Sequence, residues 1–109
     1  MKELLIVRHA EAISDFENFK DFDRPLNNYG QKDAKIMAKQ LIKHNFYPDY
    51  IMSSGASRAY STAKIISKEM KISKDNININ NDIYSSSKEN ILESIYNISN
   101  KFNSVMITG

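Results

Sequence analysis

Short apolar runs alternate with amphipathic stretches along the whole chain, and this alternation constrains the fold more than any other feature. "ELLIV" at 3–7 is a brief, continuous run of the kind buried on both faces of a sheet. "DYIMSS" at 49–54 and "SVMIT" at 104–108 repeat that character, and "ININ" at 77–80 alternates with the period of a strand. Between the first two runs, Ala34, Met37, Ala38, Leu41 and Ile42 recur at helical spacing with Lys35, Lys39 and Lys43 on the other faces, which predicts a helix over 28–44. Ala59, Thr62, Ala63, Ile66 and Met70 predict a second helix, with Ser57 placed to cap it. Ser86 and Glu89 stand in capping-box spacing before Ile91, Leu92, Ile95, Ile98 and Phe102, which predicts a third. Strands alternating with helices in this way imply an α/β fold with a parallel sheet and right-handed crossovers.

A chain of 109 residues fits one domain with one hydrophobic core, so the expectation is a single domain over 1–109. A net charge of +2 is too small to suggest a nucleic-acid or membrane partner, and the absence of cysteine excludes a disulfide framework and a thiolate metal site. The first apolar run stops at Arg8, too short for a signal-peptide core, and no stretch reaches membrane-spanning length. A cytoplasmic location is the expectation. The segment from Glu11 to Asn28 lacks any period and contains "DRPLNNYG", which predicts a long connecting loop, a common place for function.

In open parallel sheets, ligands bind beyond the carboxyl ends of the strands. Arg8 and His9 leave the first strand there, and Arg58 falls in the first turn of the second helix, where the backbone already favours an anion. Arg24, in the long loop, is free to reach the same edge; its alternative is an ion pair with Asp21 or Asp23. Guanidiniums gathered around one imidazole repel one another until an anion joins them, and a phosphoryl group fits their geometry. A neutral imidazole nitrogen beside phosphorus is a competent nucleophile, so the implied chemistry is transfer to His9 and then to water. Ser53 and Ser54 lack the setting of a nucleophile elbow and suit loop or capping roles. Glu11 and Asp15 beside His9 do not complete a metal set, and neither metal nor cofactor is expected. Phe16, Phe19, Phe22 and Tyr29 either line a substrate mouth or pack the loop.

"VRHAEA", "DRPLNNYG" and "SSGASRAYSTA", in this order, resemble the histidine phosphatase superfamily, and the Arg-Pro-Leu of the loop is similar to that of the SixA-type phosphohistidine phosphatases. The resemblance implies a three-layer, phosphoglycerate mutase-like sandwich with a mainly parallel central sheet, lacking its C-terminal part. It implies that His9 is the phosphorylated nucleophile, that Arg8, Arg58 and Arg24 hold phosphoryl oxygens, and that Asp82 falls where members carry a leaving-group acid. The implied substrate is a phosphorylated protein (phosphohistidine) or a small phosphomonoester.

The family pattern also places a second histidine just after the strand that "VMITG" resembles. The other histidine of this sequence, His44, lies near the end of the first predicted helix, where it suits the helix dipole. The expectation is therefore a fragment. The alternative is a short form that binds phosphate and turns it over poorly or not at all.

Overall fold

The computed structural model describes residues 3–84 and 87–109. Four strands, β1 (Glu3–Val7), β2 (Tyr50–Ser53), β3 (Ile77–Ile79) and β4 (Ser104–Thr108), form one sheet in the order β1-β4-β2-β3. All three pairings are parallel, with Val7, Thr108 and Ser53 in register across the carboxyl end. The latest strand in sequence is thus an inner strand. Its flanks explain its composition: Val105, Met106 and Ile107 are almost wholly buried, whereas Leu4 and Ile6 of the edge strand β1 are exposed.

Two core clusters show how the helices divide between the faces of the sheet. Val7, Ile51 and Met106 pack with Ala38 of α1 (Asn28–Lys43) and Ala63 and Ile66 of α2 (Ser57–Glu69). Met52, Val105 and Ile107 pack with Ile91 and Ile95 of α3 (Lys88–Tyr96). The result is the three-layer α/β sandwich expected from the sequence.

The helix ends show where local chemistry departs from periodicity. Asn27 caps α1 by accepting the Gly30 N–H at 2.8 Å, and Gly30 is required there because a Cβ would run into the backbone of Glu11. His44 is the C-cap of α1 and takes no part in the site. Ser57 proves to be the first helical residue of α2 rather than its cap; Ala56 holds the cap position, and Ser54 Oγ accepts its N–H at 3.1 Å, so the turn is fixed before Ser57 is reached. The Ser86 half of the expected capping box lies outside the described residues, while Ser87 caps α3 by accepting the Asn90 N–H. That helix ends at Tyr96, short of the predicted Ile98 and Phe102. Beyond it Ser99 Oγ accepts the Lys101 N–H at 3.3 Å, while Ile98 remains in the core and Phe102 packs on Tyr50.

Neither α1 nor α2 ends in glycine. Asn45 and Lys71 adopt positive φ one residue past each cap, and the N–H groups of Phe46 and Ile72 reach back to Leu41 and Ser67. This paired Schellman geometry turns each chain sharply from helix to strand.

Candidate active site

The carboxyl ends of β1, β4 and β2 are laced together by backbone bonds that continue past the strands. The His9 N–H donates to Gly109 O, Gly109 N–H to Val7 O, and Ser54 N–H to Thr108 O. His9 is therefore positioned by the sheet itself. Beside it opens a cavity of about 280 Å³ lined by Arg8, His9, Ser54, Ala56, Arg58, Ala59, Ile83, Tyr84 and Gly109.

The His9 ring has two partners of fixed polarity, and these decide its tautomer. Nδ1 lies 2.7 Å from the carbonyl of Ala10, an acceptor only, so Nδ1 carries the proton. Nε2 receives the Nε–H of Arg58 at 3.2 Å, and a guanidinium can only donate, so Nε2 holds the lone pair. Thr62 supports this arrangement from α2: its Oγ1 accepts the Ala10 N–H at 3.1 Å and donates to Arg58 O at 2.7 Å.

The Arg58 guanidinium is anchored on its remaining sides by one residue. Nη1 donates to the Asp21 carbonyl at 2.6 Å and Nη2 to Asp21 Oδ2 at 3.1 Å. Asp21 Oδ1 in turn accepts from Nε and Nη2 of Arg24, and Tyr84 donates its hydroxyl to Asp21 Oδ2 at 2.6 Å. The Tyr84 hydroxyl, followed by the two guanidiniums, holds this carboxyl down from its ordinary value to about 2. Arg8 lines the cavity from the end of β1; it is exposed, and among the described residues its side chain makes no ion pair or hydrogen bond.

The structure brings together three of the five residues singled out in the sequence, Arg8, His9 and Arg58. Arg24 takes the alternative role: it pairs with Asp21, donates Nη1 to Ile13 O at 2.9 Å and stacks over Phe16. It reaches His9 only through Asp21 and Arg58. Asp82 sits in the short 3-10 turn Asn81–Ile83, where successive side chains diverge. Ile83 faces the His9 cavity, whereas Asp82 lines a neighbouring cavity of about 420 Å³ with Tyr50, Asn80, Glu93 and Ser94. Among the aromatic residues, Phe22 meets Tyr84 edge-on at 4.9 Å and closes one side of the cluster.

Sequence reasoning missed Asp21 as a site residue and missed Tyr84 altogether. Asp21 had a signal, an acid three residues before an arginine. Tyr84 lies 63 residues from its partner and had none.

Comparison with known proteins identifies the fold and the family. The structure superposes on the candidate phosphohistidine phosphatase SixA of Agrobacterium tumefaciens with a TM-score of 0.87 and 30% identity, covering 97% of this chain and 67% of that one. In sequence the chain is 36% identical over 63 residues to an uncharacterised chloroplastic protein of Arabidopsis thaliana, covering 58% of this chain and 29% of that protein. It is 33% identical over 67 residues to the mitochondrial serine/threonine-protein phosphatase PGAM5 of Xenopus tropicalis, covering 62% of this chain and 23% of that protein. The chain thus spans less than a third of the length of these two sequence relatives. Residues 4–83, which carry Arg8, His9, Arg24 and Arg58, match the histidine phosphatase superfamily (branch 1), and the chain belongs to that family.

Proposed function

We propose that this site takes a phosphoryl group from phosphohistidine onto Nε2 of His9 and passes it to water. The observation that carries the reading is the His9 tautomer: Nδ1–H is tied to Ala10, and the unprotonated Nε2, which accepts from Arg58, is held at a cavity lined by two arginines. In the first step the Nε2 lone pair forms a bond to phosphorus, the substrate P–N bond breaks, and the departing imidazole nitrogen takes up a proton from solvent. In the second, a water oxygen bonds to phosphorus, the Nε2–P bond breaks, inorganic phosphate leaves, and the water's proton goes to solvent. Arg8 and Arg58 offset the charge on the transferring group. Imidazole is a good leaving group that can take its proton from solvent, so the reading does not require Asp82 as an acid.

Incubation with phosphoramidate as a small phosphoryl donor, followed by mass spectrometry for acid-labile phosphate, tests the reading. We expect the label on His9; His9→Asn should carry none, and its release of phosphate from the donor should fall at least about a thousandfold. Phosphate binding with no label on His9 would instead support a binding-only module, which one observation favours: the Arg58 Nε–H occupies the Nε2 lone pair in this structure.

A further inference from the structure

We propose that Asp21 is the positioning residue of this site, holding Arg58 against the unprotonated Nε2 of His9. The proposal rests on the phosphoryl-transfer reading for its consequence, but its structural content stands apart from turnover. Of the five N–H donors of a guanidinium, Arg58 spends one on His9 Nε2, one on the Asp21 carbonyl and one on the Asp21 carboxylate. Two Nη hydrogens remain for phosphoryl oxygens. Asp21 therefore grips Arg58 at two points, through main chain and side chain, from the loop that precedes α1.

The carboxylate is itself held. Arg24 binds Oδ1 through two nitrogens, at 3.1 and 3.0 Å, and Tyr84 binds Oδ2 from the segment after β3. A carboxylate gripping a phosphate-binding guanidinium competes with phosphate for it. Arg24 and the Tyr84 hydroxyl weaken that competition by drawing on the same negative charge. The site accordingly uses one arginine to orient another: Arg24 supplies charge to Asp21, and Asp21 supplies orientation to Arg58. Tyr84 lines the cavity and ties its wall to the same carboxylate.

The experiment uses the 109-residue protein and the variants Asp21→Asn, Asp21→Ala and Tyr84→Phe, with folding checked by circular dichroism and thermal melting. Nitrogen-15 NMR reads the His9 tautomer and the exchange rate of the Arg58 Nε–H with water. Inorganic phosphate and vanadate binding are measured on the same samples. For the wild type we expect the Nδ1–H tautomer and slow Nε–H exchange. Folded Asp21→Ala should exchange the Arg58 Nε–H at least about tenfold faster and bind phosphate about tenfold more weakly, with the Nδ1–H tautomer kept by Ala10. Asp21→Asn retains the shape and loses the charge, and should fall between the two. Tyr84→Phe should weaken phosphate binding about two- to threefold. A folded Asp21→Ala protein with wild-type Arg58 Nε–H exchange overturns the proposal, whether or not phosphate binds. Wild-type protein with the expected NMR signature but no His9 label overturns the phosphatase reading instead and leaves the positioning role supported.

Discussion

Two aspartates at opposite ends of the sheet perform contrasting tasks with the same functional group. At the amino end, Asp49 precedes β2 and accepts the N–H groups of Asn103 and Ser104, both at 3.0 Å, while its own N–H donates to Ser104 O. The Asn103 N–H, with further help from Ser104, lowers its carboxyl below the usual range. At the carboxyl end, Asp21 binds no backbone N–H through its side chain among the described residues; its carboxylate partners are Tyr84, Arg24 and Arg58. Backbone partners are fixed by the fold, so Asp49 serves to register two strands. The Asp21 carboxylate instead meets side chains drawn from three separate segments, two of them cationic, so Asp21 serves to arrange charge.

The comparison breaks most readily at Arg58. Arg58→Ala should lower the rate of His9 phosphorylation by about 10²–10³, measured by phosphoramidate labelling, with secondary structure intact. The reverse pattern is expected of Asp49→Ala: a loss of about 1–2 kcal/mol in urea unfolding with unchanged phosphate affinity. If that variant weakened phosphate binding, the division between the two ends of the sheet would fail. Arg24→Ala should weaken phosphate binding by less than about tenfold, because it acts on Arg58 only through Asp21; a loss as large as that of Arg58→Ala would place it in direct contact with the ligand.

The smallest effect is on acid stability. Folding lowers the Asp21 carboxyl to about 2 from a model-peptide value of 3.8, so its contribution is complete above the higher value and is lost as pH falls through the lower. The stability difference between wild type and Asp21→Asn should be flat from neutrality to about pH 4 and shrink between about pH 4 and 2, as read by thermal melts.

Much of the architecture was legible because it rests on local periodicity. The strands at 3–7, 50–53, 77–79 and 104–108 and the spans of α1 and α2 follow from spacing that the sequence displays directly. What was not legible depended on competition or on distance. Ser54 and Ser57 are both plausible caps, and only the turn geometry shows that Ser54 acts first. The helix α3 stops at Tyr96 although the apolar spacing continues. In the site, Arg8, His9 and Arg58 were legible because strand ends and a helix start converge in any parallel sheet. The role of Arg24 depended on whether Asp21 faced it, and Tyr84 on a contact across more than half the chain.

The placement of β4 between β1 and β2 also bears on how the molecule is made. A ribosome delivers β1 and β2 long before β4, and in the native sheet neither of the first two touches the other. Their facing edges stay unpaired until residues 104–108 emerge, so native sheet formation waits for β4. Until then the nascent chain exposes two unsatisfied strand edges, a natural target for chaperones and a point where slowed translation would raise the risk of aggregation.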